Sequence, residues 1–100
     1  VDILRGRVVV IAKKIIDQPD QWVGDTHIYE LDEAFRGYGC VAVSVHNVEY
    51  GQWQNGGTEI VGCDERGNIP GSVVRALFQS YVIMSHADAL EAVGLTVGDF

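Results

Sequence analysis

The sequence predicts a single α+β domain, a small antiparallel β-sheet of about four strands followed by two short C-terminal helices. Three observations lead there. β-Branched runs, alternating or continuously apolar, fill the first two-thirds of the chain. Clusters of Gly, Asp, Asn and Pro separate them. Beyond Pro70-Gly71 the apolar spacing changes from alternation to the i, i+3, i+4, i+7 rhythm of a helix.

The first strand is residues 7–16 (RVVVIAKKII), whose near-continuous apolar start suits a strand covered on both faces. Asp17-Gln18-Pro19-Asp20 ends it, because Pro lacks an amide donor and Asp favours turns. Residues up to 26 read as a polar loop carrying one large apolar side chain, Trp22. Residues 27–32 (HIYELD) form a short second strand, and residues 33–39 connect it onward through two glycines. Residues 40–48 (CVAVSVHNV) are the clearest strand, with Val41, Val43 and Val45 on one face and Cys40, Ala42, Ser44 and His46 on the other. A fourth strand, residues 58–64, runs into Asp64-Glu65-Arg66-Gly67-Asn68, a type I turn signal. Val74, Leu77, Phe78 and Tyr81 predict a helix opening near Ser72, while residues 81–84 suit either its continuation or a last strand. Ser85 then caps a second helix with Ala87, Leu90 and Val93 as its buried stripe and Gly94 as its C-terminal stop.

Hairpin pairing of neighbouring strands places Tyr29, Leu31, Val41, Val43, Val61 and Cys63 on one face. The other face then carries Ile28, Glu30, Ala42, Ser44, His46, Ile60 and Gly62. It is too apolar for open solvent and too polar for a dry core, so it needs a cover from the chain or from a partner.

Fourteen acidic residues against seven basic ones give a net charge of −7. The cations are scattered, which argues against nucleic-acid binding by phosphate attraction and favours basic partners. The longest apolar stretch, residues 8–12, is far shorter than the roughly 20 residues of a membrane helix. No secretory leader is evident, so Cys40 and Cys63 are expected as free thiols in a reducing cytoplasm.

His27, His46, His86, Cys40 and Cys63 are the potential metal ligands, and no pair has a ligand spacing such as C-x-x-C or H-x-x-x-H. No metal and no cofactor are therefore expected. Ser44 and His46 share a strand face but stand some 7 Å apart along it, too far for a nucleophile–base pair. Neither Gly37-Tyr38-Gly39 nor Gly56-Gly57 precedes a helix, so no phosphate loop is present. The pairs Asp32-Glu33 and Asp64-Glu65 fall at strand ends, where turn chemistry accounts for the second. The loop at residues 49–57 (EYGQWQNGG) presents Tyr50 and Trp53 among small polar residues, a composition typical of binding loops. Trp22 in the other long loop, His46 on the half-polar face and Arg66 in the turn complete the expected ligand- or partner-binding set.

From Cys40 to Leu95 the succession VAVSVHNV, TEIVGCDERGNI and SHADALEAVGL resembles small uncharacterised proteins of actinobacteria and their phages. In these a strand ends in a Cys/Ala-Asp-Glu-x-Gly-Asn turn and a later helix carries H-x-x-A-L-x-x-x-G. The resemblance covers about half the chain and implies a compact accessory protein, phage-encoded, that blocks or sequesters something made by the host. It brings no catalytic residues with it.

The expected function is that of a non-enzymatic acidic binding protein, a homo-oligomer in one version, which sequesters a host protein or a small ligand as an antagonist of host defence. Two alternatives stand beside it. One is a structural or assembly component of a virion. The other is a small enzyme using His46 with a carboxylate such as Glu59, which requires an open pocket around His46.

Overall fold

The computed structural model describes residues 9–19, 22, 24–46, 56–69 and 76–100. In chain order the elements are β1 (Val10–Asp17), β2 (Asp25–Phe35), β3 (Tyr38–His46), β4 (Gly57–Cys63), β5 (Ala76–Ser80), α1 (His86–Ala92) and β6 (Leu95–Val97). The strands form one sheet in the order β5-β4-β3-β2-β1-β6, antiparallel throughout except for the parallel pair β1–β6. Among the described residues no helix is long and apolar enough to cross a membrane.

This corrects the expected four-stranded α+β arrangement with two C-terminal helices: the protein is mostly β, with six strands and one short helix. The predicted helix near Ser72 is overturned where it can be seen, because residues 76–80 are strand β5, paired antiparallel with Thr58–Val61 of β4. The sequence ALFQS, three apolar residues and two polar ones, is too short to separate the two periods, and the open edge of β4 decides between them. The second addition, β6, has three residues and is defined by its partner: Val10, Ile11 and Ala12 pair with Leu95, Thr96 and Val97.

The local signals fare better. β2 and β3 join through Arg36-Gly37, both with positive φ (51° and 88°), the two-residue turn whose twist matches an antiparallel hairpin. The turn after β4 forms as its residues predict. The Asp64 main-chain oxygen accepts from Gly67 N at 3.0 Å, and its carboxylate accepts from the amides of Arg66 and Asn68, each at 2.8 Å. Those two bonds hold the Asp64 carboxyl below its ordinary pKa. Ser85 caps α1, its hydroxyl accepting from Asp88 N at 3.1 Å. The buried residues of α1 are Ala89 and Leu90, whereas Ala87, expected in the stripe, faces solvent.

Register sets the two faces. Tyr29 lies opposite Val41, His27 opposite Val43, and Val43 opposite Ile60. One face therefore holds Tyr29, Leu31, Val41, Val43 and Ile60, and α1 covers it with Ala89 and Leu90. Val61 and Cys63, expected there, instead oppose Ala42 and Cys40 on the second face. Pairing about Gln52–Gln54 would set Val43 opposite Cys63, whereas Val43 opposes Ile60, and an odd-numbered shift of this kind exchanges the faces of β4. The correction has a steric counterpart: Gly62 lies on the first face beneath the Tyr38 ring, in space a Cβ would take.

The second face is covered by the chain itself. Ile28, Cys40, Ala42 and Cys63 form its buried cluster, and Ile16 and Trp22 pack against it. The Trp22 indole nitrogen donates to the Gly67 main-chain oxygen at 2.9 Å, which ties the β1–β2 connection to the turn after β4. Thr26 and Ser44 share a buried hydroxyl–hydroxyl bond of 2.9 Å on the same face.

Candidate functional site

Of the sequence-derived binding residues the structure describes Trp22, His46 and Arg66, and Trp22 meets the turn that carries Arg66. Trp22 is half-buried against the second-face cluster and acts as its cover. Arg66 is exposed in the turn after β4. Tyr50 and Trp53 lie outside the described residues. His46 is 3% exposed, with its Nδ1 so close to Gly24 that a Cβ there would come within 2.7 Å of it. Gly24, whose φ of +72° suits the close approach, lies against the His46 ring on the side toward β2. Glu59, the suggested carboxylate, stands opposite Ser44, and burial pushes its carboxyl pKa up. Burial likewise raises the pKa of the facing thiols, with the Cys63 value pushed up to about 12. Both cysteines are free, consistent with the expected thiols.

A different set of residues does converge. Asp17 ends β1 and pairs directly with His27 near the start of β2, so their side chains share a face. The ladder continues one step further, with Gln18 N donating to Thr26 O at 2.8 Å and Gln18 held at a φ of 56°. The Gln18 side-chain amide donates to a carboxylate oxygen of Asp25 and so fixes Asp25 beside the pair. His86 is the first residue of α1. Docking of that helix through Ala89 and Leu90 lays the His86 ring on the His27 ring, with centroids 3.8 Å apart and planes within 15°.

The polar contacts assign the protons. A main-chain carbonyl only accepts, so His86 Nε2 carries a hydrogen and donates to Asp25 O at 2.7 Å. His27 Nε2 lies 3.2 Å from Asp17 Oδ1 and 3.5 Å from Asp25 Oδ1, positions that suit an Nε2–H facing two carboxylates. His27 Nδ1 then accepts from the Tyr29 hydroxyl at 3.3 Å. The phenol remains a donor, because burial, then Asp17 and Asp25, push its pKa up to about 12. Asp17 also meets Lys14 at 3.4 Å. The cluster is accessible but not open: side-chain exposure is 16% for His27, 58% for Asp17 and 50% for Asp25.

Burial, followed by the His86 charge, lowers the His27 pKa from its ordinary 6.5, and the two carboxylates only partly oppose this. Burial lowers the His46 pKa in the same direction. Below the ordinary value the unfolded chain binds protons that the folded imidazoles resist, so these two groups take away folding stability as the medium is acidified, while the raised Glu59 carboxyl acts the other way at lower pH. This contribution is fully present above about pH 6.5 and is lost as pH falls through the lower folded-state values. The urea midpoint should therefore drop between about pH 7 and pH 5, and His27→Gln should flatten part of that slope. A variant slope equal to the wild-type one would remove His27 from the account.

One ligand atom from each of Asp25, His27 and His86 lies within 4.8 Å of the others, a grouping able to hold a cation. Spacing along the chain could not reveal it, because His27 and His86 meet only through the docking of α1. The sequence signals present were the Ser85 cap, which puts His86 at the helix start, and the Asp17 break, which sets where β1 ends. No family model, no curated protein and no solved structure matches the chain.

Proposed function

We propose that the protein is a non-enzymatic binding protein and that its binding point is the cluster of Asp17, Asp25, His27 and His86. The observation that carries this is the stacked imidazole pair at 3.8 Å with two carboxylates beside it, assembled from β1, β2 and α1. Two carboxylates beside two imidazoles offer negative charge and nitrogen donors, and so select a cation. The net charge of −7 acts in the same sense over longer range. The ligand classes that fit are a metal ion and the ammonium or guanidinium group of a basic host partner. Sequestration needs only such a site, and the resemblance to phage proteins supplies the setting, a host cytoplasm in which Cys40 and Cys63 stay reduced.

The chain has three histidines, so imidazole NMR signals provide a direct test. Titration with divalent cations, alkylamines and arginine amide should move the His27 and His86 signals and leave buried His46 in place. If every member of the panel leaves His27 and His86 unmoved, the cluster is structural and the proposal fails.

A further inference from the structure

The geometry points to a divalent transition-metal ion of the zinc type as the ligand, held by His27, His86 and Asp25 with Asp17 adjacent; this rests on the cluster being the binding point. Four considerations support it. The first is distance. Tetrahedral zinc with bonds of about 2.0–2.1 Å places its donor atoms roughly 3.4 Å apart; the donors here lie within 4.8 Å of one another, and binding requires the stacked rings to turn so that both lone pairs meet one ion. The second is donor chemistry. Magnesium and calcium take oxygen shells, whereas a site built on two imidazoles suits zinc, cobalt, nickel or copper.

The third is the outer shell. A metal-ligating histidine is normally oriented by a hydrogen bond at its other ring nitrogen. His27 has this arrangement, with Nε2 facing both carboxylates and Nδ1 bonded to the Tyr29 hydroxyl at 3.3 Å. On metal binding His27 Nε2 gives up its proton, Nδ1 takes one, and the hydroxyl turns from donor to acceptor. The neutral ring changes tautomer with no net release. The fourth is charge: the Asp17 and Asp25 carboxylates together balance a dication, while Lys14, 3.4 Å from Asp17, is exposed and able to swing away.

Such an ion would join the end of β1, the start of β2 and the start of α1, so its binding is readable as stability as well as heat. The test uses the full chain with zinc chloride, and magnesium and calcium as controls. Calorimetry and thermal unfolding are followed together with the imidazole NMR spectrum. Zinc should raise the melting temperature and shift His27 and His86 but not His46, while magnesium and calcium do neither. His86→Ala and His27→Gln should abolish the melting shift, and Tyr29→Phe should weaken zinc binding by about 10-fold or more through loss of the orienting hydroxyl. Absence of any zinc effect on wild type, or a zinc effect that survives in the double His27/His86 variant, overturns the metal assignment. If a variant is unfolded by circular dichroism, the wild-type NMR pattern decides: zinc perturbation centred on His46 instead of His27 and His86 also overturns it. Should zinc fail while arginine amide still moves His27 and His86, the binding point stands and only the metal is lost. Failure of both removes the site altogether.

Discussion

Gly56→Ala is expected to lower the unfolding free energy by about 3 kcal/mol, combining a strained backbone with a forced local displacement. Gly56 has a φ of +80°, a conformation that a side-chain-bearing residue adopts only at a cost. A Cβ at this position would also be driven into the main-chain oxygen of His46, and the Ile83 side chain lies just beyond, at 2.9 Å from that Cβ. A flexible neighbour could yield, but the oxygen belongs to the last residue of β3, where His46 pairs with Gly57. Relief therefore requires the β3–β4 ladder to open at its end. Urea denaturation of wild type and variant measures the difference directly, and a loss below about 0.5 kcal/mol, the range of an ordinary surface change, would show that this approach is not constrained as described.

Leu90→Ala should cost a comparable amount, about 2–5 kcal/mol. Leu90 is fully buried at 0% exposure, and with Ala89 it is how α1 packs onto the first face of the sheet. For a domain whose whole stability is of order 5–15 kcal/mol, that loss leaves little margin. Its effect should also be uneven, since a helix of seven residues has almost no stability of its own. Amide hydrogen exchange should show the α1 amides losing protection well before those of β3. Uniform loss across both elements would mean that helix and sheet open only together. The His27–His86 stack depends on the same docking, so the site and this part of the core are one construction.

Much of the sheet was legible because β-branched alternation and turn chemistry are local. The valines of β3, the Asp64–Asn68 turn and the Ser85 cap each carry their own signal, and each forms as read. What failed depended on a distant partner. Residues 76–80 carry a short apolar run with no strand alternation of its own, and the vacant edge of β4 makes them a strand. Leu95-Thr96-Val97 is too short for any period to register and is specified by β1. The exchange of Val61 and Cys63 for Ile60 came from an odd-numbered shift in pairing, to which alternation within a strand is blind. The candidate site was illegible for the same reason: its members are residues 17, 25, 27 and 86, joined by one register and one docked helix. Trp22 stands out in the sequence for its size, but its packing against the second-face cluster and its bond to Gly67 are not encoded in the loop that carries it.

The parallel pairing of β6 with β1 has a consequence for behaviour in concentrated solution. With β6 in place, and Gly98 N donating to Ala12 O at 3.0 Å just beyond it, one flank of β1 is satisfied along Val10–Ala12. If residues 95–98 lift away, the flank becomes a row of unpaired amides and carbonyls on a strand reading VIAKKIID. Such a row recruits the same row from a second molecule, and Lys13 and Lys14 are the charges within it that oppose the recruitment. The three-residue β6 thus covers an edge open to association, and trimming the chain before Leu95 should promote aggregation through β1.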